Sequence, residues 1–150
     1  MHDTVEVAQE IGAPLELVWA AYADADKRVQ WSVPAGEGMV YDNAEFREGG
    51  RDRYRCGDPT SLEFHASVEY TKIVPEALIV YTETVRSAGQ PLATGVVTWE
   101  FEPTTAGTYV RVISHIVSFV GGGMVDGTRN GHTKALQQLS TFATTDTLSQ

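Results

Sequence analysis

His132 interrupts an otherwise apolar helical stripe. Val125, Arg129, His132, Leu136 and Leu139 recur at spacings of four and three, with Ala135 and Phe142 flanking them. A lone histidine in such a place is more often a satisfied structural group than a catalyst. If functional, its ring either anchors the polar end of a ligand or acts as a general acid or base, and the second role needs a partner within hydrogen-bond reach. Tyr41, Tyr54, Tyr70, Tyr81 and His65 stand on predicted strands that can supply one, with the inward face of each strand left open. Ser114 is a short polar group among apolar neighbours, and a bond to a nearby backbone carbonyl is the favoured reading over a ligand contact. Ser114, His132 and Asp126 can be written as a triad, yet no nucleophile elbow accompanies them.

Other chemistries find less support. His2 is terminal, and His65, His115 and His132 show no spacing associated with a zinc or iron site, so no metal is expected. Gly121-Gly122-Gly123 lacks the Lys-Ser/Thr of a P-loop and the spacing of a dinucleotide fingerprint, so no nucleotide cofactor is expected. Cys56 is the only cysteine, which rules out an intrachain disulfide and suits a reducing, cytoplasmic compartment. Nothing around it suggests a catalytic thiolate.

The charge balance narrows the partners. Twenty acids against eleven bases leave a formal charge of −9, and the only cluster of bases is Arg47, Arg51, Arg53 and Arg55. Nucleic acid needs a basic stripe and is excluded as an expectation; the four arginines read as a solvated face. No window approaches the roughly 18 apolar residues of a membrane-spanning helix, and the acidic, alternating N-terminus is no leader peptide. With 42% hydrophobic and 21% charged residues, the 150 residues are expected to form one domain.

The elements that must position these residues follow from periodicity. Val5 and Val7 alternate with polar neighbours as in a half-buried strand, and Ile11-Gly12 breaks it. Ala13-Pro14 opens a helix with proline at its first position; Leu15, Val18, Trp19 and Tyr22 recur at helical spacing. Asp24 caps a second short helix that ends near Trp31, before Val33-Pro34. The period then shifts to two, predicting strands at 39–46, 52–56, 62–74, 78–85, 94–101 and 109–117, with a tight turn at Glu48-Gly49-Gly50. Short connections make this an antiparallel meander. In the fifth of these strands Val97, Trp99 and Phe101 alternate with Thr98, Glu100 and Glu102, so the aromatic face is inward. On the last, Val110, Val112, Ser114 and Ile116 point inward and His115 outward. A helix over 125–142 ends the pattern. One helix laid on a curved sheet of about seven strands cannot fill the concave face, so a cavity is expected.

This order resembles the helix-grip superfamily of START-related domains, birch-pollen-allergen-like proteins and polyketide cyclases. Four stretches, IGAPLELVWAAYADADKRVQW, EFREGGRDRY, IVPEALIVYTE and GTYVRVISH, are similar to the branch named for homologues of the activator of the heat-shock protein 90 ATPase. Two departures stand out. The branch commonly has Gly-Trp in the terminal helix where this chain has Gly131-His132, and a proline where it has Ala25. The resemblance implies an α+β helix-grip fold: a curved antiparallel sheet wrapped around a long C-terminal helix, with two short helices after the first strand.

Three functions are weighed. The leading one is binding of a small hydrophobic molecule between sheet and helix, with Trp31, Trp99 and Tyr81 as walls, His132 as polar tip, and Ser114, Tyr54 and Leu136 as further candidate contacts. The second, implied by the resemblance, is a cofactor-independent cyclase or dehydratase with His132 as acid or base. The third is a chaperone-associated interaction domain, weakened because the additional domain by which the eukaryotic activators engage their partner is lacking. A homodimer is compatible with all three.

Overall fold

The computed structural model describes the backbone of residues 1–148 and the side chains of residues 1–145. The elements run β1 (His2–Ile11), α1 (Leu15–Ala23), α2 (Ala25–Arg28), β2 (Gly38–Asn43), β3 (Arg51–Gly57), β4 (Phe64–Val74), β5 (Leu78–Ser87), β6 (Gln90–Pro103), β7 (Thr108–Ser118) and α3 (Gly123–Leu148). The strands form one antiparallel sheet in the order β1-β7-β6-β5-β4-β3-β2. The six later strands are the expected meander, and β1 returns to pair with β7 from His2↔Val117 to Ile11↔Thr108. The sheet is curved around α3. Register shifts between Tyr70 and Lys72 and between Val85 and Arg86 mark where β4 and β5 bend.

The inner face carries the core. Val97, Trp99, Phe101, Val110 and Val112 meet Leu136, Leu139 and Ala143 of α3 and Val18, Ala21 and Tyr22 of α1. Strand parity holds as read from the sequence: Trp99 and Phe101 are buried, Glu102 is exposed, and Glu100 is half-buried on the outer face, bound to Arg111 at 2.6 Å. His115 is outward and meets Thr4 across the sheet at 3.1 Å.

Several local expectations need correction. Pro14 is the residue before α1 rather than its first residue: its φ of −60° and ψ of 150° are extended, and its carbonyl accepts from Leu17 and Val18. Asp24 caps α2 as expected, accepting from the Asp26 amide at 2.9 Å. The strand expected over 39–46 ends at Asn43, whose side-chain amide donates to the Arg51 carbonyl and turns the chain out of the ladder. Gly49, at a φ of +78°, then makes the turn into β3. Arg129 is exposed and pairs with Asp126 at 3.6 Å. At about 100° per residue it falls at the edge of the buried arc, which runs through Val125, Ala135, Leu136, Leu139 and Ala143 with His132 half-buried among them.

Candidate functional site

A cavity of about 410 Å³ lies between the inner face of the sheet, the first half of α3 and the loop around Ser32–Pro34. A smaller void of about 100 Å³ continues from it toward α2, and Ser32, Tyr54, Glu83 and His132 line both. The larger volume falls in the range of about 300–1,000 Å³ usual for small-molecule sites. Missing side chains create it. Gly127 and Gly131 are one helical turn apart on α3 and both line the space; a Cβ added at either would meet nothing within 4 Å. Glycine in a helix costs about 1 kcal/mol relative to alanine, so the opening is made at the expense of α3. Facing them, Gly95 sits where β7 approaches so closely that a Cβ would lie 2.6 Å from the His115 carbonyl oxygen.

His132 reaches the sheet from α3, and its Nε2 is 2.8 Å from Ser114 Oγ on β7. Ser114, 2% exposed, therefore bonds a side chain and not the backbone carbonyl expected for it. The His132 ring stands perpendicular to Trp99 at 6.5 Å between centroids. Burial alone lowers its pKa to about 4, because the charged form loses its hydration and no carboxylate compensates. Asp126 pairs with Arg129 on the outer side of the helix, so the written triad does not assemble. The ring is neutral near pH 7 and serves as a hydrogen-bonding group.

A second polar pair stands on the sheet. Tyr54 Oη donates to Glu83 Oε2 at 2.8 Å. Burial raises the Glu83 pKa above its ordinary value, the Tyr54 hydrogen bond opposes this, and nearby Asp52 adds to it. Burial also pushes the Cys56 thiol up to about 11, with Glu83 and Glu37 adding to the effect, so Cys56 is a thiol and not a thiolate.

Beneath the smaller void lies a buried ion pair. Arg28, 3% exposed, donates from Nη2 to Asp52 Oδ2 at 3.1 Å, from Nη1 to Tyr70 Oη at 3.1 Å and to the Tyr22 carbonyl at 3.0 Å, and from Nε to Tyr41 Oη at 2.7 Å. Tyr70 donates to the same Asp52 oxygen at 2.5 Å, and the Glu45 amide donates to the other at 2.9 Å. The charges are thus matched and hydrogen-bonded, the condition under which burial is tolerated.

The sequence candidates divide by depth. His132, Ser114 and Tyr54 line the large cavity; Trp31, Tyr81 and Trp99 line only the small void, together with His132 and Tyr54. Trp99 Nε1 donates to Tyr81 Oη at 3.2 Å, and Trp31 Nε1 to the Ala21 carbonyl at 3.1 Å. Leu136, 1% exposed, lines neither space and belongs to the core. Of the proposed partners for His132, Tyr41, Tyr54, Tyr70 and Tyr81 face inward and His65 outward, and none bonds the ring. Arg28, Asp52 and Glu83 are the polar residues the sequence reading missed. Asp52 shares strand parity with Tyr54, and Glu83 with Ile79 and Tyr81, which is the signal that marks them as inward. Arg28 carries no such mark.

Among the described residues no group of three or more His, Cys, Asp or Glu side chains is placed to hold a metal ion. No helix there is long and apolar enough to cross a membrane.

The fold is shared with known structures. An uncharacterised protein from Rhizobium leguminosarum matches with a TM-score of 0.86 at 25% identity over 95% of each chain. A Chromobacterium violaceum protein matches with a TM-score of 0.82 at 21% identity, covering 93% of this chain and 96% of that one. DynU16, from the dynemicin biosynthetic locus, matches at 0.71 and 18% identity over 93% of this chain but 46% of its own. No curated protein matches the sequence. With its helix-grip architecture in place, and with the family model matching residues 12–144, the chain belongs to the family of Activator of Hsp90 ATPase homolog 1-like proteins.

Proposed function

We propose that the chain binds a small, mainly apolar molecule in the cavity between sheet and α3. The observation that carries this is the cavity of about 410 Å³, whose apolar walls, Val85, Val97, Ile116 and Met124 among them, surround two separate polar pairs, His132–Ser114 and Tyr54–Glu83. Such sites combine apolar walls with a few placed polar groups. The proposal keeps the sequence-based expectations of a cytoplasmic protein whose partner is neither nucleic acid nor membrane.

Catalysis by His132 fits less well. A ring with a pKa near 4 and a serine as its partner is a weak base, and near neutral pH it is not in the imidazolium form that a general acid needs. It suits recognition of a ligand's polar end.

The test is titration with Nile red and a thermal-shift screen of small apolar compounds, run on the wild type and on Gly131→Leu, which puts a side chain into the open space beside His132. Saturable binding that drops tenfold or more in a folded Gly131→Leu variant is the expected result. Binding that ignores the substitution would remove the cavity from the argument.

A further inference from the structure

Glu83 is a carboxylate in the cavity wall that has no counter-charge among the described residues. In register, Glu83 lies opposite Gly95 on one side and Val68 on the other. Gly95 has no side chain, so that flank of the carboxylate opens toward the cavity both residues line. Among the described residues its one hydrogen-bond partner is Tyr54, on Oε2, and no lysine or arginine forms an ion pair with it. The nearest buried base, Arg28, is committed to Asp52. Among the described residues no lysine or arginine lines the large cavity; a second carboxylate, Glu37, does. Both Glu37 and Glu83 act on the Cys56 thiol, so the two carboxylates stand near one another in the cavity wall.

From this arrangement we infer that the cavity takes a hydrophobic amine, its apolar body held between the sheet and α3 and its ammonium group seated on Glu83, which Tyr54 holds in place. This deepens the ligand-site reading above and rests on it. An ionised carboxylate withdrawn from water without a cation is disfavoured, and an incoming ammonium supplies the missing charge. A ligand carboxylate would instead face like charge at Glu83 and Glu37 and is selected against. A neutral alcohol gains the apolar contacts without the ion pair.

Three probes of one chain length separate these cases: decylamine, 1-decanol and decanoate, titrated calorimetrically at pH 7.5 below their aggregation limits. The expected order is decylamine tighter than decanol by tenfold or more, with decanoate weakest. Because the chain carries a formal charge of −9, any cation is favoured to some degree, so the preference must be located. Glu83→Gln should bring decylamine to within about twofold of decanol, whereas Glu102→Gln on the exposed outer face should leave the tenfold preference intact. Thermal unfolding of each variant checks that it is folded, and the wild-type ranking stands without any variant. Decanol binding as well as decylamine, or an amine preference that survives Glu83→Gln, overturns the assignment to Glu83 while leaving the cavity a ligand site. If none of the three probes binds, or all bind equally to Gly131→Leu, the ligand-site reading falls and this inference with it.

Discussion

The phenol of Tyr54 on β3 reaches across the intervening strand β4 to donate to Glu83 on β5 at 2.8 Å. Strands lie about 4.8 Å apart, so a tyrosine is long enough to span two of them where the residues between are small. Here the cross-strand neighbour of Tyr54 is Ala66, which leaves the path clear. The pair holds a carboxylate at the cavity wall in a position that burial disfavours.

Glu83→Gln should therefore be at least as stable as the wild type at pH 8, although it removes a charged hydrogen-bond acceptor. A folded-state pKa raised above 4.5 means that Glu83 favours the fold in its protonated form, and that this contribution is lost as pH rises through the folded value. Urea unfolding at pH 8 checks this. A variant clearly less stable than the wild type would show that the ionised carboxylate is favourably held.

Arg28 and Asp52 are expected to be the most sensitive charged positions in the chain. Arg28→Met or Asp52→Asn should each cost about 3–5 kcal/mol, because either leaves a buried partner uncompensated. Arg28→Met combined with Asp52→Leu should lose less than the sum. Single losses under about 1 kcal/mol in urea melts would contradict the burial of the pair.

Trp99→Ala should cost about 3–5 kcal/mol, the range for a packed aromatic. The ring is 4% exposed and meets Tyr22 and Trp31 at 5.1 and 5.8 Å between centroids, so it behaves as core more than as the wall of an open site. A loss near 1 kcal/mol would mean that the small void absorbs the change.

His132→Phe should cost about 1–3 kcal/mol by stranding the Ser114 hydroxyl, and Ser114→Ala added to it should restore part of the loss. A double-mutant cycle measures the coupling directly. Additive losses would show that the 2.8 Å contact contributes nothing.

The acid limb of stability should depend on His132. Its folded-state pKa of about 4 lies below the ordinary 6.5, so between those values the unfolded chain binds more protons and stability falls as pH falls. The contribution is fully present above about pH 6.5 and lost progressively toward pH 4, by roughly 2–3 kcal/mol. Comparing wild type with His132→Gln between pH 7 and pH 4 isolates it from the carboxylates; parallel curves would mean the ring is hydrated in the folded state.

What the sequence determined by itself is the architecture, because burial on a strand or a helix is written in a local period. Val97, Trp99 and Phe101 read inward from alternation alone, and the α3 stripe demanded a sheet to cover it. The resemblance in motif order pointed to the same fold. Arg129 was misplaced because a spacing of four drifts around the helix and reaches the edge of the arc. Tertiary structure alone decided which polar groups meet. Arg28 sits in the charged run Asp26-Lys27-Arg28, which has the appearance of a solvated short helix, and only the tertiary placement of α2 brings its guanidinium to Asp52 and Tyr70 of the sheet. The Tyr54–Glu83 bond depends on registers across two strand pairs, and the Ser114–His132 bond on how far α3 sits above β7. Pairings of that kind join residues 18 to 29 positions apart through three-dimensional reach, which no local period encodes.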